Sequence, residues 1–360
     1  METLRIVQVS HAYPPYVGGL AHVVENLSRH LVGQGHEVEV VTLDPYGRLD
    51  DAQDHGGVHV KRFHCLAPSN MYFAPSPKVI PYLRAVEADV VHAHNIGALL
   101  APACWLAVRS RLHEVAFILS PHHHAAGSTW HARMLWRPYR PAAGLVARSA
   151  HTVHCVSEFE ARLVRDEFSV DPVVVPNGVS EDTFRHRWTP PENQLVLTYA
   201  GRLEGYKRVH VLVEAAHILK QRGIEVTLRV IGEGPELSGI LASSRRRGVE
   251  VEHHPFLPRS DYLCLLSRSS CLVNPSRYEA FSIVVAEALA IGLPVIVSEP
   301  WGRTFEGLPN VQVVDGGSPS EVAEAVSKTA RIHSWGRSPV SSWSEVTEKI
   351  VRMVYQPSLN

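Results

Sequence analysis

At 360 residues the chain exceeds what one ordinary hydrophobic core organises and fits two domains of roughly 150–200 residues. It is 45% hydrophobic and 20% charged, and 35 basic against 36 acidic side chains leave a net charge of -1, which excludes a global field for nucleic acid. No basic stretch precedes the strand-like start, no apolar run nears the ~20 residues of a membrane span, and five cysteines without a C-x-x-C pair read as reduced thiols, so a cytoplasmic protein is expected.

In chain order, short Val- and Ile-rich runs alternate with helical-length stretches. Strands are predicted at 4–10, 38–43, 58–64, 89–93, 115–120, 152–156 and 172–176, then at 195–200, 225–231, 249–253, 271–274, 294–298 and 311–314. Amphipathic stretches at 20–33, 158–168, 209–222 and 319–332 predict helices between them. Such alternation means parallel sheets covered on both faces. Thirteen strands are too many for one comfortable twisted sheet, so the expected class is α/β with two Rossmann-like, doubly wound domains facing across a cleft. The linker is placed at 183–194, which has neither periodicity, giving an N-terminal domain over 1–185 and a C-terminal domain over 192–340. A last helix near 342–355 puts Trp343, Val346, Ile350 and Val354 on one face, and 341–360 is expected to pack back on the N-terminal domain.

Doubly wound sheets bind ligands beyond the carboxyl ends of their strands, so the strand-to-helix loops are the places to look. After the first strand, the loop from Ser10 ends in Gly18-Gly19 at a helix start, where backbone N–H groups can approach a phosphate. A plain flexible turn explains the glycines equally well. After the first strand of the second domain, Arg202 and Lys207 stand five apart on one loop and can clamp a diphosphate, against the alternative of a solvated surface pair.

The most specific stretch runs from Pro275 to Pro294. Glu279 precedes a helix and Glu287 lies within it, inside the apolar run Val-Val-Ala-Glu-Ala-Leu-Ala. Eight residues of helix rise ~12 Å at most, about the reach from a hexose across a diphosphate to a ribose. A carboxylate buried in such a helix is costly without a partner, which argues for a function.

Together these loops resemble the retaining glycosyltransferases of family four, which have the two-domain GT-B architecture. The matching pieces are the Gly-Gly loop, Val91-His92-Ala93-His94, Cys155-Val156-Ser157-Glu158, Val175-Pro176-Asn177-Gly178-Val179, Gly201-Arg202-Leu203 with Lys207, Ile231-Gly232-Glu233-Gly234-Pro235 and the two glutamates eight apart. The resemblance implies that Arg202 and Lys207 bind the donor diphosphate together with Gly18, Gly19 and the amides from Phe281 to Ile283. It implies that Glu279 holds the transferred sugar, that Glu287 holds the nucleotide ribose and that His122 lies near the transferred sugar. Where the family usually has Gly, this chain has Ser282, which still caps a helix and offers a hydrogen bond, so altered rather than lost donor geometry is expected.

The resemblance also implies retained anomeric configuration and a donor that is a nucleotide-diphosphate sugar used as co-substrate, with no bound cofactor. There is no Asp-x-Asp motif to carry a divalent cation, so Arg202 and Lys207 are expected to do that work. A metal site at His122-His123-His124 is disfavoured because consecutive side chains diverge. Two other classes were weighed: an inactive nucleotide-sugar-binding module, against which stands the full set of donor residues, and a dinucleotide-dependent dehydrogenase, whose third fingerprint glycine is missing after Gly232-Glu233-Gly234.

From Val115 to Ser157 there is no Asp or Glu, while Arg133, Arg137, Arg140 and Arg148 interleave with Trp130, Trp136 and Tyr139. Basic residues mixed with Trp and Tyr suit an anionic headgroup layer. The segment 130–148 is therefore expected to attach peripherally to the inner face of the membrane and serve a sugar or lipid-linked acceptor. Pro138 and Pro141 are expected to interrupt any long helix there.

Overall fold

The computed structural model describes residues 2–16, 18–66, 74–123, 130–192, 194–329 and 336–359. They form two units: Met1–Asn177 with Trp343–Asn360, and Gly178–Ser342. The division at 177/178 falls ahead of the linker expected at 183–194. That stretch is anchored in the second unit. Thr183 is buried, the Trp188 amide donates to Ile291 O at 3.1 Å, and its indole donates to Ser269 O at 2.8 Å. Loss of periodicity marked an irregular segment, and packing decided where it belongs.

The first unit carries β1 (Arg5–Val9), α1 (Gly19–Gly33), β2 (Glu37–Asp44), β3 (Ala52–His55), β4 (Val58–Leu66), β5 (Ala74–Pro75), α2 (Val79–Ala85), β6 (Val90–His94), α3 (Leu100–Val108), β7 (Ala116–Ser120), α4 (Trp130–Ser149), β8 (Thr152–Cys155), α5 (Glu158–Phe168) and β9 (Val173–Val174). The sheet runs β3-β4-β2-β1-β6-β7-β8-β9, parallel except that β3 and β5 pair antiparallel with β4. Chain order reverses at the central strand, between β1 and β6, so the loop after β1 sits at a switch point. Parallel partners share a face and residues two apart share a face. Val7, Val9, Val91, Ala93, Phe117, Leu119, Val153 and Cys155 therefore line one side, packed in the hydrophobic core. Gln8, His92, His94, Ser120 and His154 line the other, a polar row on fully buried strands.

The second unit holds β10 (Leu195–Ala200), α6 (Val209–Gln221), β11 (Val226–Ile231), α7 (Leu237–Arg247), β12 (Glu250–His254), α8 (Arg259–Ser267), β13 (Cys271–Asn274), α9 (Ile283–Ile291), β14 (Val295–Ser298), β15 (Val311–Val314) and α10 (Pro319–Thr329). Its sheet is wholly parallel in the order β12-β11-β10-β13-β14-β15, with the switch point between β10 and β13. Helix α9, Ile-Val-Val-Ala-Glu-Ala-Leu-Ala-Ile, is apolar all round, and Val285 to Ile291 are all buried, Glu287 included. Both units are α/β domains built on a largely parallel sheet, as the expected class has it.

The chain ends in α11 (Trp343–Ile350), a π-helical turn Val351–Tyr355 and a final turn Gln356–Leu359. Trp343, Val346, Ile350 and Val354 are buried, and the segment belongs to the first unit, where Trp343 lies edge-on to His22 of α1.

Candidate active site

In the second unit the two strands at the switch point aim their loops at each other. The loop after β10 brings Lys207, and the loop after β13 brings Glu279. Their side chains meet as an ion pair, Lys207 Nζ to Glu279 Oε1 at 2.5 Å, with only 15% and 14% of each side chain exposed. Burial alone lowers the lysine pKa, but the adjacent carboxylate raises it, and the net shift is upward. Lys207 is therefore a fixed cation. Asn274, the last residue of β13, donates to Ser282 Oγ at 3.0 Å and accepts from the Ser276 amide at 3.2 Å, shaping the loop between them. Ser282 is the N-cap of α9, with its Oγ accepting from the Val285 amide at 3.4 Å. Its φ of -100° is ordinary extended backbone, so serine costs no strain where a glycine would also fit. Phe281 packs against Phe305 beside the half-buried Ile283. Arg202 lies mostly exposed on the same loop as Lys207, paired with Glu204 at 2.6 Å.

Glu287 has the partners its burial requires. Arg259 Nη1 donates to Oε1 and Tyr262 O–H to Oε2, the latter at 2.7 Å. Arg259 also reaches both Asp182 oxygens at 3.2 Å and Thr183 Oγ1 at 2.8 Å. Burial pulls its pKa down, but Glu287 and Asp182 raise it overall. The cost of a carboxylate inside α9 is thus offset within the protein. This removes the argument that Glu287 must be functional because it would otherwise be unpaired. A carboxylate still has lone pairs left for ribose hydroxyls. Sequence reasoning missed Arg259 and Tyr262; the signal was the lone Glu in an apolar helix, which demands a cation nearby.

In the first unit, Gly18 precedes α1 with φ 174°, which any residue adopts, and a Cβ on Gly18 or Gly19 would meet nothing within 4 Å. Neither backbone conformation nor protein packing requires glycine there, whereas close approach of a ligand to the uncapped amides of α1 would. The loop before them is held from outside: Arg62 Nη2 donates to Pro14 O at 3.0 Å and Tyr16 O–H to Asp44 at 2.6 Å.

His122 follows β7 with φ 48°, in the left-handed region, and its Nε2 lies 3.2 Å from His94 Nδ1. Behind it the polar row of the sheet forms one network. His94 Nε2 meets Gln8 Oε1 at 2.7 Å, and Gln8 Nε2 donates to the Tyr355 phenol oxygen at 2.9 Å. His92 meets Tyr355 at 2.8 Å and Ser120 at 2.7 Å, and Ser120 meets His154 at 2.8 Å. Burial drives the pKa of His92, His94 and His154 down, to about 4 for His154, so these rings are neutral. The adjacent His123 gives its backbone N–H to Glu160 Oε1 at 2.6 Å, while burial pushes the Glu160 carboxyl up to about 7. His124 lies outside the described residues.

Helix α4 corrects one expectation and alters another. It runs unbroken through Pro138 and Pro141. The prolines lie exposed, and the packing of Trp136, Tyr139, Ala143, Val146 and Ala147 on the other side offsets the lost backbone bonds. Trp136 and Tyr139 point inward: the indole donates to Glu167 at 2.7 Å and stacks on His123, and the phenol donates to Ile96 O at 2.7 Å. The exposed face carries Met134, Leu135 and Leu145 with Arg137, Arg140 and Arg148. The side chains of Trp130 and Arg133 lie outside the described residues. Among the described residues no helix is long and apolar enough to cross a membrane.

Comparison with known proteins places the chain in a family. Residues 17–183 match the family model Glycosyltransferase Family 4 and residues 180–329 match Glycosyl transferases group 1. The chain belongs to the group 1 glycosyltransferases. It is 27% identical to a glycogen synthase of Mycobacterium tuberculosis over 89% of this chain and 84% of that protein. It is 26% identical to a GDP-mannose-dependent alpha-(1-6)-phosphatidylinositol dimannoside mannosyltransferase of the same species, over 90% of this chain and 87% of that one. Among solved structures, sucrose-phosphate synthase from Thermosynechococcus elongatus superposes with a TM-score of 0.76 at 18% identity, covering 99% and 96% of the two chains.

Proposed function

We propose that the protein transfers a sugar from a nucleotide-diphosphate sugar to an acceptor hydroxyl with retained anomeric configuration and without a metal ion. The observation that carries this is the Lys207–Glu279 pair at the switch point of the second unit. A fixed cation for the diphosphate and a carboxylate for the sugar's hydroxyls stand at hydrogen-bond distance from each other, as one molecule containing both groups requires. In the reaction the bond from the anomeric carbon to the diphosphate oxygen breaks with its electron pair leaving on the diphosphate, the acceptor oxygen bonds to that carbon on the same face, and the acceptor proton passes to a phosphate oxygen of the leaving group. Lys207, with Arg202 turned from Glu204, offsets the charge growing on that diphosphate, helped by the α9 N-terminus at Ser282 and Ile283. By resemblance the Gly18-Gly19 amides are assigned to a donor phosphate, Glu287 to the ribose and His122 to the transferred sugar.

The acceptor is proposed to be lipid-linked, with the exposed face of α4 resting on an anionic membrane surface. Its support is now the mixture of Met134, Leu135 and Leu145 with three arginines, because Trp136 and Tyr139 serve the core.

Turnover tests the donor site. Lys207→Ala and Glu279→Ala are each expected to lower kcat by ~100-fold or more while circular dichroism stays that of the wild type, and wild-type activity should persist in excess EDTA. Full activity of Lys207→Ala would remove the clamp. Loss in EDTA restored by magnesium would show that a metal shares the work.

A further inference from the structure

We propose that His122 receives a single tautomer from a one-way chain of hydrogen bonds that begins at the Val175 carbonyl and passes through Tyr355 of the C-terminal segment. The proposal rests on the reading that His122 faces the transferred sugar, and it assigns Tyr355, Gln8, His92, His94, Ser120 and His154 as positioning residues.

The direction follows from one fixed end. The Val175 carbonyl only accepts, and His154 Nε2 lies 2.9 Å from it, so that nitrogen carries the hydrogen. A neutral His154 then has a bare Nδ1, which takes the Ser120 hydroxyl hydrogen at 2.8 Å. Ser120 Oγ in turn accepts from His92 Nε2 at 2.7 Å. His92 Nδ1 is left to accept the Tyr355 O–H at 2.8 Å, and the phenol, kept protonated by its burial, accepts from Gln8 Nε2 at 2.9 Å. Gln8 Oε1 takes the His94 Nε2 hydrogen at 2.7 Å. His94 Nδ1 can then only accept, and the group 3.2 Å away is His122 Nε2. Running the chain the other way would set a bare nitrogen of His154 against a carbonyl oxygen in a buried site, which costs the unmade bond in full. Every member of the chain from Gln8 to His154 is buried, so water cannot replace a link.

The consequence is chemical. In its neutral form His122 holds its hydrogen on Nε2, toward His94, and its Nδ1 carries the lone pair. Such a ring accepts a hydrogen bond from a sugar hydroxyl and does not donate one to a phosphate. The chain also gives the C-terminal segment a role in the site of the first unit, because Tyr355 is its middle link, 347 residues from Gln8 in sequence.

Two-bond nitrogen–proton NMR spectra of histidine-labelled full-length protein at pH 7.5 read the tautomers directly, with His122→Gln identifying the His122 signals. His92, His94, His122 and His154 are expected in the Nε2–H form. Tyr355→Phe removes the middle donor, and Ser120→Ala cuts the chain from its anchor while leaving Tyr355 in place. Each is expected to turn the His122 signals into a mixture of both tautomers and to lower kcat/KM about 10-fold, chiefly through kcat. A wild-type His122 in the Nδ1–H form, or one whose signals neither variant changes, overturns the proposal. If the tautomers are as stated but His122→Ala transfers sugar at the wild-type rate, the chain stands and the assignment of His122 to the sugar falls.

Discussion

Ser282 shows how much one hydroxyl decides. Its Oγ accepts from Asn274 Nδ2 and from the Val285 amide, so both lone pairs are in use and its own hydrogen remains for a ligand. The amide of Asn274 cannot be turned round, because its oxygen already serves the Ser276 amide and hydroxyl. Ser282→Ala and Ser282→Gly both take the Oγ acceptor from Asn274 Nδ2, but losing the cap costs about 1 kcal/mol in Ala and only a few tenths in Gly. Both lose the hydroxyl proposed to donate to the phosphate. Urea denaturation should therefore separate the two variants while donor turnover falls about 10-fold in both. Wild-type turnover in Ser282→Gly would show that the hydroxyl serves only the helix. Glu287 teaches the complementary lesson: its place in α9 was legible, but the partner that stabilises it, Arg259, is 28 residues away and had no pattern of its own.

At the scale of elements, apolar periodicity located all thirteen anticipated strands, because parallel strands buried on both faces are continuous Val and Ile runs. It missed β3 and β5. The former, Ala-Gln-Asp-His, is a largely exposed edge strand tied to β4 by backbone bonds and polar contacts such as Arg62 Nη1 to Gln53 Oε1 at 3.2 Å, which leave no apolar signature. Proline rules failed at α4 for the opposite reason: local propensity argued for a break, and packing against α3 and α5 outweighed it. The exposed face of that helix yields a sharp test. Wild-type protein should pellet with anionic vesicles in low salt and be released when Arg137, Arg140 and Arg148 are all replaced by Glu. Each lysine- or arginine-type contact is worth about 1 kcal/mol near such a surface. Equal recovery of both proteins in the supernatant would end the membrane assignment and leave the transferase intact.

Across the whole molecule, the buried charges are not shared evenly. The first unit keeps His92, His94 and His154 neutral in its core, while the second holds the ion pairs Lys207–Glu279 and Arg259–Glu287. A histidine whose folded pKa is depressed contributes stability above its unfolded value near 6.5, and that stability is lost as pH falls toward about 4. Glu160, raised from 4.5 to about 7, works in the opposite sense, losing stability as pH rises through that window. Three buried histidines act in the first sense and one glutamate in the other, so the histidines set the direction. The urea midpoint should drop between pH 6.5 and 4.5, with protease cleavage appearing first within 2–177. Cleavage confined to 178–342 would contradict this. The polar row responsible was invisible in sequence, since Gln8 and Tyr355 meet only once the chain's two ends are folded together.

The central claim, a nucleotide-sugar site built on Lys207 and Glu279, is tested most directly by melting temperature against a panel of nucleotide-diphosphate sugars. At 100 times its Kd, a bound donor stabilises the protein by about 2.7 kcal/mol. At least one donor should raise the Tm of the wild type by several degrees and leave that of Lys207→Ala unmoved. No shift with any donor, or an equal shift in both proteins, would contradict the account.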